Sequence, residues 1–149
     1  MNRSENAVKL FESGYNCSQS IVLAFEDLLN IDKNTLSSLS SSFGGGISRL
    51  REVCGCVSAM AIIVGTLYGN YDVNNNEEKA KHYELVQSLA LKFKKQTGSL
   101  NCATLLNKVN EIEIPIPEVR TLKYYQQRPC SKLIKIMSDI LQEYIDNHE

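Results

Sequence analysis

A run of three glycines leads into Cys-Gly-Cys and then into an unbroken apolar stretch, FGGGISRLREVCGCVSAMAIIVGTLYG from Phe43 to Gly69, and this segment limits the chain more than any other. Glycine tolerates positive φ and lets other atoms approach the backbone closely, so Gly44, Gly45 and Gly46 indicate a tight turn with dense packing around it. The apolar run from Val57 to Val64 is too short to span a bilayer and reads as part of a core helix. The thiols of Cys54 and Cys56 are therefore delivered to the inner edge of a packed domain, where thiol chemistry or metal ligation is better served than any surface role.

On either side the pattern is helical. Ala7, Val8, Leu10 and Phe11 have helical spacing within Glu5–Glu12, and Gly14 stops that helix. Asn16 can cap a second helix that opens with Cys17 and carries Ile21, Val22, Phe25, Leu28 and Leu29 on one face. Asp32 can cap a third, with Leu36 and Leu39 inward, running through the serines at 37–42. The central helix extends from about Cys54 to Tyr68 and stops at Gly69, and 70–76 reads as an exposed loop. Glu77–Lys95 has Ala80, Tyr83, Val86, Leu89, Ala90 and Phe93 on one face, with lysines gathered in its last turns and Gly98 as its stop.

A short helix can begin at Ser99 or Asn101 and hold Cys102. From Asn110 to Gln127 the pattern changes: Ile112, Ile114 and Ile116 alternate, but Pro115 and Pro117 forbid a central strand, so an extended connection laid over the bundle is expected. Pro129 suits the first position of a terminal helix that carries Cys130, Leu133, Ile134, Met137, Ile140, Leu141 and Tyr144. The expected fold is all-α: one domain over residues 1–149, a bundle of about five to seven helices.

The 16 basic and 17 acidic residues are mixed along the chain, so bulk charge gives no support to binding nucleic acid or an anionic membrane. The opening MNRSENAVKLFESGYN shows no apolar signal core, which leads to the expectation of a cytoplasmic protein. In that setting five cysteines point to catalytic, redox or metal-binding use rather than a disulfide framework. Cys17, Cys102 and Cys130 each fall in the first turn of an expected helix, and Cys54 at the start of another. Unpaired amides and the helix dipole stabilise a thiolate there, which makes it a nucleophile or a ligand.

No C-x-x-C pair occurs, so a metal site would have to be assembled from separate helix ends. Arg49 and Arg51 flank the motif and could face a thiolate or a bound anion, although a solvated pair is the ordinary reading. Gly44, Gly45 and Gly46, with Gly55, could offer amides to an anion or cofactor, or could simply let the cysteines pack closely. Cys56 makes a C-x-C pair with Cys54 and is either a fifth ligand, a partner in a readily reduced disulfide, or a small core residue. Packing is the preferred reading for Cys56.

Asn16-Cys17-Ser18-Gln19, Phe43-Gly44-Gly45-Gly46, Glu52-Val53-Cys54-Gly55-Cys56, Asn101-Cys102 and Cys130 together resemble the C_GCAxxG_C_C family of redox-active proteins. The resemblance covers most of the chain and implies a small helical protein in which Cys17, Cys54, Cys102 and Cys130 are the family's four cysteines. The family's central motif reads C-G-A-x-x-G. Here Cys56 replaces the alanine and Ala59 the last glycine.

The functional expectation is a redox or electron-transfer protein, oxidoreductase-like if it is an enzyme. Cys17, Cys54, Cys102 and Cys130 either hold an iron–sulfur cluster or zinc, or cycle between dithiol and disulfide. Of the two, the metal or cluster is slightly preferred. The partner is a redox protein or small-molecule substrate, and a homodimer is admitted. The competing expectation is a non-catalytic binding or structural domain with inert cysteines or a structural zinc.

Overall fold

A computed structural model describes residues 2–107 and 114–148. Among them ten helical segments follow one another: α1 (Arg3–Glu12), α2 (Cys17–Ala24), α3 (Glu26–Leu29), α4 (Lys33–Ser40), α5 (Gly44–Ile47), α6 (Gly55–Tyr68), α7 (Asn76–Thr97), α8 (Cys102–Leu105), α9 (Leu122–Gln127) and α10 (Cys130–Asn147). No strand occurs among the described residues, and the only bridge is a single antiparallel pairing of Val53 with Asn101. The fold is all-α, as the periodicity requires. Six segments run for eight residues or longer, within the five to seven helices expected from the apolar pattern; the rest are single turns and a short helix.

Helix α2 is the centre. Ser18, Ser20 and every residue from Ile21 to Ala24 are buried, because α1, α4 and α6 pack around it. Helix α10 closes the other side of α1 and lays Leu133, Ile134, Met137, Ile140 and Leu141 into the same core. The first half of α6 is almost wholly buried, as expected of a helix apolar on all sides. Among the described residues no helix is long and apolar enough to cross a membrane.

Several boundaries differ from the sequence pattern. The second expected helix breaks at Phe25, whose φ of −105° and ψ of 12° leave the helical region, and a new turn, α3, ends at Asn30 in the left-handed region. Phe25 is fully buried, so packing fixes a kink through which the apolar spacing continues unchanged. Helix α4 stops at Ser40 and leaves Leu39 exposed. In α7 only Leu89, Ala90 and Phe93 are buried, while Ala80 and Tyr83 of the expected inner face stand in solvent.

Residues 122–127 are helical rather than extended, because Thr121 caps them through a hydrogen bond from the Tyr124 amide at 3.2 Å. Pro129 is the cap residue of α10, one place ahead of its expected position. Ile112 lies outside the described residues. Ile114 and Ile116, from the same expected alternation, are exposed on a connection without regular structure.

Candidate functional site

Each cysteine is placed by the start of a helix. Asn16 caps α2 reciprocally with Gln19: the Gln19 amide donates to Asn16 Oδ1 at 2.9 Å, and the Asn16 amide donates to Gln19 Oε1 at 3.1 Å. Cys17 is therefore held as the first residue of α2. Asn101 caps α8 by accepting the Thr104 amide at 3.0 Å and fixes Cys102 as its first residue. Cys130 opens α10 directly after Pro129, Cys54 is the cap residue of α6, and Cys56 lies in the first turn of α6. All five line one cavity of about 460 Å³. Cys54, Cys56 and Cys102 are buried, while Cys17 and Cys130 are half-buried.

Two unusual backbone features draw these helix starts together. From Gly45 to Arg49 every residue has positive φ, and Arg51 has it again. Left-handed backbone costs roughly 1–2 kcal/mol for each residue that bears a Cβ, and most for a branched one such as Ile47. The turn is held by amides returning to it: Arg51 N–H donates to Gly45 O at 3.1 Å, Glu52 N–H to Gly46 O at 3.0 Å, and Ser48 N–H to Ser42 O at 2.9 Å. The second feature is the bridge between Val53 and Asn101. Cys54 N–H donates to Leu100 O at 2.8 Å and Cys102 N–H donates to Glu52 O at 2.6 Å, so Cys54 and Cys102 flank the bridged pair on the same face.

The glycines make room for the chain's own side chains. A Cβ on Gly44 would stand 2.3 Å from Asn16 Cγ, one on Gly46 2.7 Å from Cys102 Cβ, and one on Gly55 2.4 Å from the Cys17 sulfur. The close approach they permit is thus to the cap of α2 and to two of the thiols. Gly45 contributes an amide directed at Cys17.

The thiols are not electrostatically alike. The Cys56 S–H donates to Cys17, and the amides of Gly45 and Ser18 add to it; together they outweigh burial and lower Cys17 to about 7. Cys56 is pushed well upward, because its proton serves both Cys17 and Cys54 and because it is buried. Burial also raises Cys102, although Arg51 opposes the shift by donating through Nη1 to Cys102 Sγ at 3.6 Å. Burial carries Cys130 to about 12. Lowered thiols at all the helix starts were expected. Cys17 behaves so, but at Cys102 and Cys130 desolvation outweighs the helix-terminal amides.

Arg51 is 8% exposed, so the reading of Arg49 and Arg51 as a solvated pair gives way to one in which Arg51 is buried against a thiol. Sequence reasoning passed over the groups contributed by the connection before α10. Arg49 Nη1 donates to Ile116 O, and Glu118 lies between Arg49, at 3.7 Å, and Arg128, which it pairs with directly. Arg120 donates through Nη2 to Tyr15 O at 2.9 Å and stacks 4.5 Å over the Phe11 ring. Residues 114–121 therefore form a strap across the cavity mouth. The available signal was the arginines interspersed between Pro117 and Cys130.

By type, clustered thiols suit a soft metal ion or an iron–sulfur cluster. By placement they do not: among the described residues no group of three or more Cys, His, Asp or Glu side chains is arranged to hold a metal ion. What the site offers is the Cys17 thiol, lowered to about 7, with the Cys56 thiol beside it.

An all-α chain that gathers its cysteines from separate helix starts around one cavity belongs to the class of cysteine-cluster proteins. More particularly, it belongs to the C_GCAxxG_C_C family, described as "Putative redox-active protein (C_GCAxxG_C_C)", which it matches over residues 15–144. Comparison with curated proteins and with solved structures gave no match.

Proposed function

We propose that the protein exchanges thiols and disulfides, with Cys17 as the attacking thiolate and Cys56 as the thiol that resolves the product. Cys17 attacks one sulfur of a disulfide, forming a mixed disulfide and releasing the other half as a thiolate. That thiolate takes the proton of Cys56. Cys56 then attacks the Cys17 sulfur, closing a Cys17–Cys56 disulfide and releasing the second half of the substrate. Two electrons leave the protein and one disulfide is reduced; the reverse sequence oxidises a dithiol.

The observation that carries this reading is the Cys17 sulfur packed against Gly55, 2.4 Å from where a Cβ there would stand, in a cavity that Cys56, the next residue, also lines. The attacking group is the one sulfur that amides and a neighbouring thiol favour as an anion, and the resolving group touches it. Cys102 and Cys130, held protonated by burial, are poorer first nucleophiles.

The test is anaerobic purification followed by metal analysis and thiol mapping. Reduced protein treated with a small dialkyl disulfide should acquire a disulfide at Cys17, detected by mass spectrometry, and contain no stoichiometric metal. Iron with labile sulfide would replace this reading with a cluster. Stoichiometric zinc without redox response, or thiols that stay unreacted until the chain unfolds, would support a structural domain.

A further inference from the structure

Cys56 makes one contact that simple resolution does not use. The Cys17 sulfur lies against Gly55, the residue that separates Cys54 from Cys56, where a Cβ would stand 2.4 Å from it, and the Cys56 thiol has both Cys17 and Cys54 as neighbours. It is 1% exposed and Cys54 is 5% exposed, whereas Cys17 is half-buried at the cavity. The outermost sulfur of the three faces incoming reagents, and the other two lie behind it at the start of α6.

We propose that Cys56 is a shuttle thiol, which first closes a disulfide with Cys17 and then passes its bond to Cys54, leaving Cys17 free while the chain stays oxidised. The step rests on the disulfide-exchange reading above and extends it to the fate of the bond. Cys54 attacks the Cys56 sulfur, the Cys17–Cys56 bond breaks, and a Cys54–Cys56 bond forms. Cys17 departs as a thiolate and the Cys54 proton is released to solvent or to Cys17. No electrons enter or leave in this exchange, so no further oxidant is needed.

Two features favour the direction. The amides of Gly45 and Ser18 stabilise Cys17 as the departing thiolate, and a better-stabilised thiolate leaves faster. Cys54 and Cys56 are two residues apart, and Cys54, as the cap residue of α6 with ψ of 134°, lies outside the helical path.

The experiment uses the full reduced chain and one equivalent of bis(2-hydroxyethyl) disulfide under nitrogen. Samples are quenched with acid at increasing times, alkylated, digested and mapped by mass spectrometry. The expected course is an early Cys17–Cys56 disulfide replaced by Cys54–Cys56, with Cys17 recovering its alkylation. In Cys54→Ser the course should stop at Cys17–Cys56 and the recovery should be lost; Cys54→Ala gives a second variant at the cap. In Cys56→Ala the mixed disulfide should persist on Cys17.

A wild-type end product of Cys17–Cys56 or Cys17–Cys54, or full recovery of Cys17 in Cys54→Ser, would overturn the shuttle and leave disulfide exchange standing. Failure of Cys17 to form any mixed or internal disulfide would overturn both.

Discussion

The Cys17 sulfur occupies the space that a side chain on Gly55 would fill: a Cβ there would stand 2.4 Å from it. The start of α2 and the start of α6 therefore meet at a glycine, and Cys56, the next residue, is carried into contact with Cys17. Gly55→Ala should push the two helix starts apart. An overpacked site of this kind costs about 1–3 kcal/mol, read as a lowered thermal midpoint. The same variant should also lose the early reactivity of Cys17 toward iodoacetamide, and unchanged reactivity would show that the contact is unimportant to the thiolate.

Reactivity of Cys17 should follow its own titration. A thiol lowered to about 7 is protonated below that pH and anionic above it. Because the thiolate is the nucleophile, alkylation at Cys17 should rise about tenfold between about pH 6 and about pH 8, then level off. Cys56→Ala removes the largest cause of the lowering, so the midpoint should move upward. For stability the sign is that of a depressed acid: Cys17 contributes fully above its unfolded value, and the contribution is lost as pH falls toward about 7. The raised thiols Cys56, Cys102 and Cys130 act oppositely and cost stability as pH rises above the ordinary thiol range. Peptide-resolved alkylation across pH measures the first effect, and thermal midpoints the second.

The cap of α2 can be tested separately from the sulfur. Asn16 accepts the Gln19 amide, and its Nδ2 donates to Ser41 O at 2.9 Å, tying α2 to the turn that follows α4. Asn16→Ala should lower stability by about 1 kcal/mol through loss of the cap. Asn16→Asp keeps the acceptor but not the donor, so it should recover part of that loss. Denaturant midpoints of the two variants decide, and equal losses would show that the bond to Ser41, not the cap, carries the effect.

What the sequence discloses follows the range of the forces involved. Caps are local, so Asn16, Asp32 and Asn101 and the placement of Cys17 and Cys102 at helix starts could be read directly. The cap at Thr121 was equally local, but the two prolines before it pointed to extended chain. The break at Phe25, the left-handed run from Gly45 to Arg49 and the bridge of Val53 with Asn101 depend on contacts between distant segments. No periodicity encodes them. The fate of each thiol was hidden for the same reason: helix starts are visible in sequence, whereas the burial that raises Cys102 and Cys130 and the partner that lowers Cys17 are not.

Arg51 and Cys102 give a test of that burial. The guanidinium donates to a thiol that desolvation holds protonated, so it partly offsets the upward shift. Arg51→Met keeps apolar bulk and removes the charge. The Cys102 titration should then move further up, with its alkylation at alkaline pH slowed, while the Cys17 profile keeps its midpoint. A Cys102 profile identical to wild type would show that Arg51 has a purely packing role there.

The strap over the cavity rests in part on Arg120, whose guanidinium reaches back across the molecule to the carbonyls of Phe11 and Tyr15 and lies over the Phe11 ring. A hydrogen bond from a charged donor contributes about 1.5–3 kcal/mol, and the stacked cation adds to it. Arg120→Met removes both while keeping the aliphatic stem. Opening of residues 114–121 should become at least about tenfold more frequent, since about 1.4 kcal/mol corresponds to one decade and cleavage tracks the open population when reclosing is fast. Thermolysin is the suitable probe because Ile116 and Val119 are exposed on the strap. Faster cleavage there, with faster entry of a bulky maleimide to Cys17 and an unchanged Cys17 midpoint, identifies the strap as the cover of the thiol cavity. Cleavage at the wild-type rate would mean that the contacts of Arg49 and Arg128 with residues 116 and 118 hold it without Arg120.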